Sequence, residues 1–214
     1  EQGKVLVNGQ VAGMGQQVEE TDTVQVGKKI LQGKQTQKVL AFYKPVGVTC
    51  TERDPHAEKK IMDMIRYPER LTYAGRLDKD SEGLILLTND GDLINAMMRG
   101  ANRHEKEYIV KTDREITPDF LEKMAKGIYL KDLDITTREC EIEQIGKFTF
   151  RIVLTQGVNR QIRRMCEACG YRVKALKRIR IMNVLLGDLK PGKWREVTGE
   201  ELEQLQRDTG MLNR

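Results

Sequence analysis

The chain has 214 residues, of which 39% are hydrophobic and 32% charged, with a net charge of +5 and a sequence pI near 9.0. No apolar run approaches the ~20 residues that span a bilayer and no secretory signal is visible, which argues against a membrane role. Four cysteines, Cys50, Cys140, Cys166 and Cys169, are too few for a disulfide scaffold and fit a reducing, cytoplasmic setting.

In chain order, residues 4–31 read as a small β unit. "KVLVNGQVA" places two short apolar stretches around Asn8-Gly9, a strong hairpin-turn pair, and "DTVQVGKKI" adds a strand. The polar, Gly/Gln-rich residues 32–38 read as a linker. The sequence begins at Glu1 rather than Met, which reads as a fragment or a processed form. The main domain is expected over residues 39–214. It opens with the strand "VLAFYKPVGV", followed by a short amphipathic helix over 58–66 and the strand "GLILLT". Asp90 is placed to cap a helix running to about Arg99. "KEYIVKT" alternates as a strand. Thr117-Pro118 opens a helix through Ala125, with Pro where a missing N–H costs nothing. "CEIEQI" and "KFTFRIVLT" flank Gly146 as strands. Residues 159–169 form a helix ended by Gly170, "YRVKALKRIRIMNVLL" a long strand, and Thr198 with Glu201 a capping box for a last helix. Strands and helices mix without a regular βαβ repeat. That order predicts an α+β fold: a largely antiparallel mixed sheet with flanking helices.

Two features carry the chemistry. The first is "AGRLDKDSEGLILLTNDGDL" (74–93), with Asp78, Asp80, Glu82, Asp90 and Asp92. Counted from Asp78 as a calcium loop, it fits through Gly83 and Ile85, but then Leu86 and Asn89 stand where ligands are needed. The apolar run after Gly83 suits a buried strand instead. The second is positive charge. Residues 157–195 carry eleven Lys/Arg against Glu167 and Asp188, a net +9, which leaves −4 for the rest of the chain. Such concentration is expected to face a polyanion.

Within that segment "NRQIRRMCEACG" is amphipathic at helical spacing. Ile162, Met165, Cys166 and Cys169 share one stripe; Arg160, Arg163 and Arg164 lie opposite and call for carboxylate or phosphate partners. The next strand sets Arg172, Lys174, Arg178 and Arg180 on one face at period two, with Leu176 among them and Lys177 on the apolar side. An apolar residue among cations suits contact with a base as well as phosphates. Cys166 and Cys169 form a C-x-x-C with no second pair, so core packing is the expected role. "HEKEY" lacks the second His of a zinc helix, no nucleotide-phosphate loop occurs, and no Ser/His/Asp set stands out. No metal or cofactor is expected; the chemistry must run on carboxylates, Tyr, Lys and Arg.

The motifs "FYKPVGVT" (42–49), "GRLDKDSEGLILLTNDGDL" (75–93), "HEKEYIV" (104–110), "QGVNRQIRRMCEACGY" (156–171) and "VKALKRIRIMNV" (173–184) closely resemble the pseudouridine synthases of the small-subunit synthase A family. The last three look most like its large-subunit synthase F branch. Residues 4–31 resemble the strand half of the S4-like RNA-binding domain, so 1–31 is expected to be a partial S4-like unit whose helical half is absent. The resemblance implies isomerisation of uridine to pseudouridine in ribosomal RNA by base flipping, with large-subunit RNA as the expected substrate and tRNA as an expected side substrate. It implies Asp78 as the catalytic aspartate, Tyr108 beside the target base, Arg163 as partner of Asp78, and Leu176 packing the pocket. Arg76 matches a side chain that replaces the flipped base in some relatives, and Lys44 with Pro45 a sheet motif supporting the pocket. Arg160, Arg164, Arg178 and Arg180 are the expected phosphate contacts. No membrane partner is expected, and the chain is expected to be a monomer. The alternative from another class is a non-catalytic RNA-binding or ribosome-assembly module, motivated by the +9 segment and the N-terminal hairpin.

Overall fold

A computed structural model of the chain describes residues 5–19, 22–27, 29–31, 37–51, 58–99 and 103–212. The chain divides into two compact units, Glu1–Gln37 and Lys38–Arg214. Most of the expected linker, residues 32–36, lies outside the described residues.

The first unit is a four-stranded antiparallel sheet of β1 (Val5–Val7), β2 (Gln10–Val11), β3 (Val24–Val26) and β4 (Lys29–Leu31), in the order β2-β1-β3-β4. Asn8 and Gly9 make the predicted turn with φ of 51° and 80°, the left-handed pair that matches hairpin twist. The Asn8 side chain locks it, accepting from Thr23 N at 2.9 Å and donating to Asp22 at 2.8 Å.

The second unit is built on a mixed sheet. Its strands are β5 (Val39–Lys44), β6 (Thr72–Ala74), β7 (Glu82–Thr88), β8 (Lys106–Thr112), β11 (Glu141–Gly146), β12 (Thr149–Leu154), β13 (Val173–Ile181), β14 (Val184–Leu185) and β15 (Trp194–Glu196). The order is β11-β12-β8-β13-β7-β5-β15, with β14 on β13 and β6 on β7. A small hairpin of β9 (Tyr129–Leu130) and β10 (Ile135–Thr136) stands apart from it. Helices α1 (Gly91–Met98), α2 (Pro118–Lys126), α3 (Gln161–Ala168) and α4 (Gly199–Asp208) flank the sheet. Every described pairing in this sheet is antiparallel except β13 with β7, where Lys177 meets Glu82 and Arg178 meets Gly83.

That parallel pair joins two halves. In one, β5 and β7 are buried on both faces, which is why "VLAFYK" and "GLILLT" read as unbroken apolar runs. Tyr43, Leu84 and Leu86 pack toward Leu93 and Leu205, while Leu40, Phe42, Ile85 and Leu87 pack the other way with Ile61 and Leu71. In the other half, Val110, Phe150 and Ile152 bury Phe120 and Met124 of α2 and Ile162, Met165 and Cys166 of α3. Cys166 is thus a core residue, with burial pushing its thiol up to about 12.

Several helix ends follow the sequence signals. The Asp90 carboxylate accepts from Asp92 N and Leu93 N, and Thr117 caps α2 before Pro118. Three expectations are corrected. The segment 58–66 makes only a single 3-10 turn, Ile61–Met64; Ile61 N is already bonded to Thr49 O at 3.0 Å, and Pro68 follows. The long strand stops at Ile181, because Met182 takes φ 52° and the chain turns back into β14. Thr198 makes no side-chain cap bond, and the Glu201 carboxylate is instead gripped by Arg195 at 2.6 and 2.7 Å.

Gly83 sits at the junction with φ +113°, and a Cβ there would lie 2.2 Å from Arg178 O and 2.6 Å from Arg178 N. Both contacts are backbone, so no side chain can yield. Gly83→Ala is expected to cost about 3 kcal/mol or more from overpacking and strain. Chemical denaturation followed by the fluorescence of Trp194, the single tryptophan, checks this through a lowered midpoint.

Candidate active site

The loop between β6 and β7 carries Gly75 to Ser81 and opens onto a cavity of about 660 Å³, the size range of small-molecule and nucleotide pockets. Leu77 is buried and anchors the loop in the core, while Asp78 stays half-exposed on the cavity wall. The loop is tied from every side. Gly47 N donates to Lys79 O at 2.7 Å, Ser81 N to Asp78 O at 3.1 Å, and Arg178 Nη1 to Arg76 O at 3.3 Å. From α3, Arg163 Nη2 donates to Asp80 O at 2.9 Å and to the buried Ser81 Oγ at 3.1 Å.

The acids of this loop are met by α3. Arg160 grips the Asp80 carboxylate with both Nη atoms, at 3.1 and 2.8 Å, and its Nη1 lies 3.7 Å from Asp78 Oδ2. Arg163 reaches Asp80 at 3.3 Å. The Arg160 fork, aided by Arg163, holds the Asp80 carboxyl below its ordinary value of 3.8 against the opposing effect of burial. Arg160 projects from a left-handed backbone position, φ 52°, at the start of α3. That conformation is uncommon for a residue with a Cβ, and it aims the guanidinium at the loop rather than along the helix.

The opposite wall is β8 and β13. Tyr108 and Arg178 are direct partners in the register, and Leu176 partners Val110 two residues on, so all four share one face. Tyr108, Leu176 and Arg178 line the cavity together with Asp78, Arg76, Arg160 and Arg163. The cavity therefore sets one carboxylate and several guanidinium groups against an aromatic ring and aliphatic side chains. It suits a flat ring carrying a sugar and phosphates.

The comparisons with known proteins agree. The family model for RNA pseudouridylate synthases matches residues 38–168. The dual-specificity RNA pseudouridine synthase RluF of Escherichia coli K12 is 44% identical over 207 residues, 96% of this chain and 70% of that protein. Ribosomal large subunit pseudouridine synthase B of Pseudomonas aeruginosa is 32% identical, over 98% of this chain and 57% of that one. A crystal structure of a pseudouridylate synthase superimposes with a TM-score of 0.75 at 28% identity, covering 95% of this chain and 89% of that one. The chain belongs to the RNA pseudouridylate synthase family. It is an isomerase acting on RNA.

Within this synthase, seven of the ten sequence-derived site residues share the cavity wall: Asp78, Tyr108, Arg163, Arg76, Leu176, Arg160 and Arg178. Three are elsewhere. Lys44 is fully buried, donating to Pro45 O at 2.9 Å and Val48 O at 2.8 Å, and burial brings its ammonium down to about 8. It holds the 45–50 segment rather than substrate. Arg164 turns to Asp132 and to Asn159 O. Arg180 is bound by Glu107 at 2.6 Å and Glu105 at 3.0 Å. Its displacement has a simple cause: a register shift at Ile179 breaks the alternation, so Arg180 partners Glu107 while Arg178 partners Tyr108. The expected Asp78–Arg163 ion pair is also absent; Arg163 contacts Asp80, and Arg160 is the guanidinium nearest Asp78.

Asp80 is the organiser that sequence reasoning missed, since it stands there only as one of five acids in a stretch that fails as a calcium loop. Its partners lie about 80 residues away, and no local pattern announces them. Because its folded-state pKa is depressed, the stability it contributes is present above pH ~4 and is lost as pH falls through the lowered value. The stability gap between wild type and Asp80→Asn is therefore expected to be full at neutral pH and to close below pH ~4. Unfolding midpoints measured against pH test this.

Proposed function

We propose that the chain converts uridine to pseudouridine in ribosomal RNA of the large subunit, with tRNA as a second substrate. Asp78 at the rim of a cavity shared with Tyr108 and Leu176 carries this reading. The target nucleotide leaves its stack, its base enters against Tyr108 and Leu176, and its sugar meets the Asp78 carboxylate. That carboxylate acts as nucleophile on the anomeric carbon or as base on a sugar proton; in either role the N1–C1′ bond breaks, C5 bonds to C1′, N1 gains a proton and C5 loses one. Arg160 is the cation nearest this carboxylate, at 3.7 Å. Arg76 fills the gap left by the base; its exposed position on the cavity lining supports this role.

RluF is named a dual-specificity RNA pseudouridine synthase and the Pseudomonas protein a large-subunit enzyme; those names support the choice of RNA. The sheet of the first unit, with its Asn8-Gly9 hairpin, supports reading it as the strand half of an S4-like RNA-binding domain. Tritium release from ribosomal RNA labelled at uracil C5 tests the activity. Asp78→Asn is expected to lose release by at least about 10³-fold while still binding RNA. RNA binding with no release by the wild type would instead support the non-catalytic module.

A further inference from the structure

Two cations on the cavity wall carry donors with no protein partner. Lys106 and Tyr108 are two residues apart on β8 and share a face, and both line the cavity. Arg178, opposite Tyr108, is 3% exposed. Its Nε donates to Leu84 O at 2.7 Å and its Nη1 to Arg76 O, but its Nη2 is buried without a hydrogen bond. No hydrogen bond or ion pair to the Lys106 ammonium occurs among the described residues. Burial, and then the charge of Arg178, lower the proton affinity of Lys106. The acids next to Lys106 in sequence are taken up elsewhere: Glu105 and Glu107 bind Arg180, and Glu107 also binds Arg151 at 3.2 Å. Asp80 is held by Arg160 and Arg163. Two desolvated like charges without a counter-ion are costly, and a ligand acceptor would relieve both.

The chemistry says which acceptor. Lys106 and Arg178 flank Tyr108, so they stand beside the place assigned to the base. When the N1–C1′ bond breaks, its electron pair stays on the uracil ring, and the resulting anion spreads onto the carbonyl oxygens. We propose that the Lys106 ammonium and the Nη2 of Arg178 donate to those carbonyl oxygens and hold the uracil anion until C5 bonds to C1′. This rests on the reading above. Apolar residues that also line the cavity, Leu77, Leu154 and Leu176, keep the local dielectric low, where such donors act most strongly.

The test compares wild type with Lys106→Met, Lys106→Gln and Lys106→Arg on a ribosomal RNA transcript, measuring Kd for the RNA and the single-turnover rate of C5 tritium release. Lys106→Met and Lys106→Gln are expected to bind RNA within about twofold and to react at least about 10²-fold more slowly. Lys106→Arg, which keeps the charge, is expected to recover at least tenfold of that loss, by the same electrostatic argument at roughly 1.4 kcal/mol per decade. The inference is overturned if both neutral variants react within about threefold of wild type, if the loss lies in Kd alone, or if Lys106→Arg is no faster than Lys106→Met. A wild type that releases no tritium overturns the functional reading itself and this inference with it.

Discussion

The backbones of Gly83 and Arg178 approach so closely that no side chain fits between them. Everything functional hangs on that contact. It forms the parallel pair in an otherwise antiparallel sheet, and it brings together a half made of β5 and β7 and a half made of β8 and β12. The Asp78 loop enters β7 just before the junction, and Arg178 leaves β13 at it. The Arg178 side chain then returns across the seam to the carbonyls of Leu84 and Arg76. Carboxylate and aromatic wall are thus held by strands, not by the loop's own rigidity.

Around this seam the charges sort themselves by strand register. On one face of β8 and β13 stand Lys106, Tyr108, Leu176 and Arg178, open to the cavity. On the other, Glu107 joins Arg180 and Arg151, and Arg151 continues to Glu143. A single extra residue at Ile179 decides which of two nearby arginines serves the cavity and which serves the sheet. On the far wall, Asp80 gathers Arg160 and Arg163 close to Asp78 and keeps like charges together that would otherwise repel.

Much of this was legible in the residue pattern. Asn8-Gly9, Thr117-Pro118 and Asp90 act locally, so turn and cap chemistry places them well. The apolar runs of β5 and β7 announce burial on both faces, and the stripe of α3 sorts Ile162, Met165 and Cys166 inward from its arginines. The motif order pointed to the enzyme class and to Asp78, Tyr108 and Leu176, which the fold brings to one cavity. Most of what could not be read depended on long-range partners. Period-two alternation put Arg180 beside Arg178, and only the register against β8 reveals the bulge. Glu201 has the spacing of a capping residue, yet Arg195 claims it. Asp80 and Lys106 gain their roles from groups that no local window contains.

The seam also has a meaning for the order of synthesis. The bonds from Arg178 to Leu84 and Arg76 span 94 and 102 residues of chain. A ribosome making this protein delivers the Asp78 loop long before α3 and β13 exist to hold it. At ordinary elongation rates of about 5–20 residues per second, that interval lasts on the order of ten seconds. During it Glu82 and Gly83 of β7 wait for their partners Lys177 and Arg178. A nascent chain in this state carries the Asp78 loop without the α3 and β13 residues that line the same cavity. The cavity can be complete only after β13, Val173–Ile181, has been made.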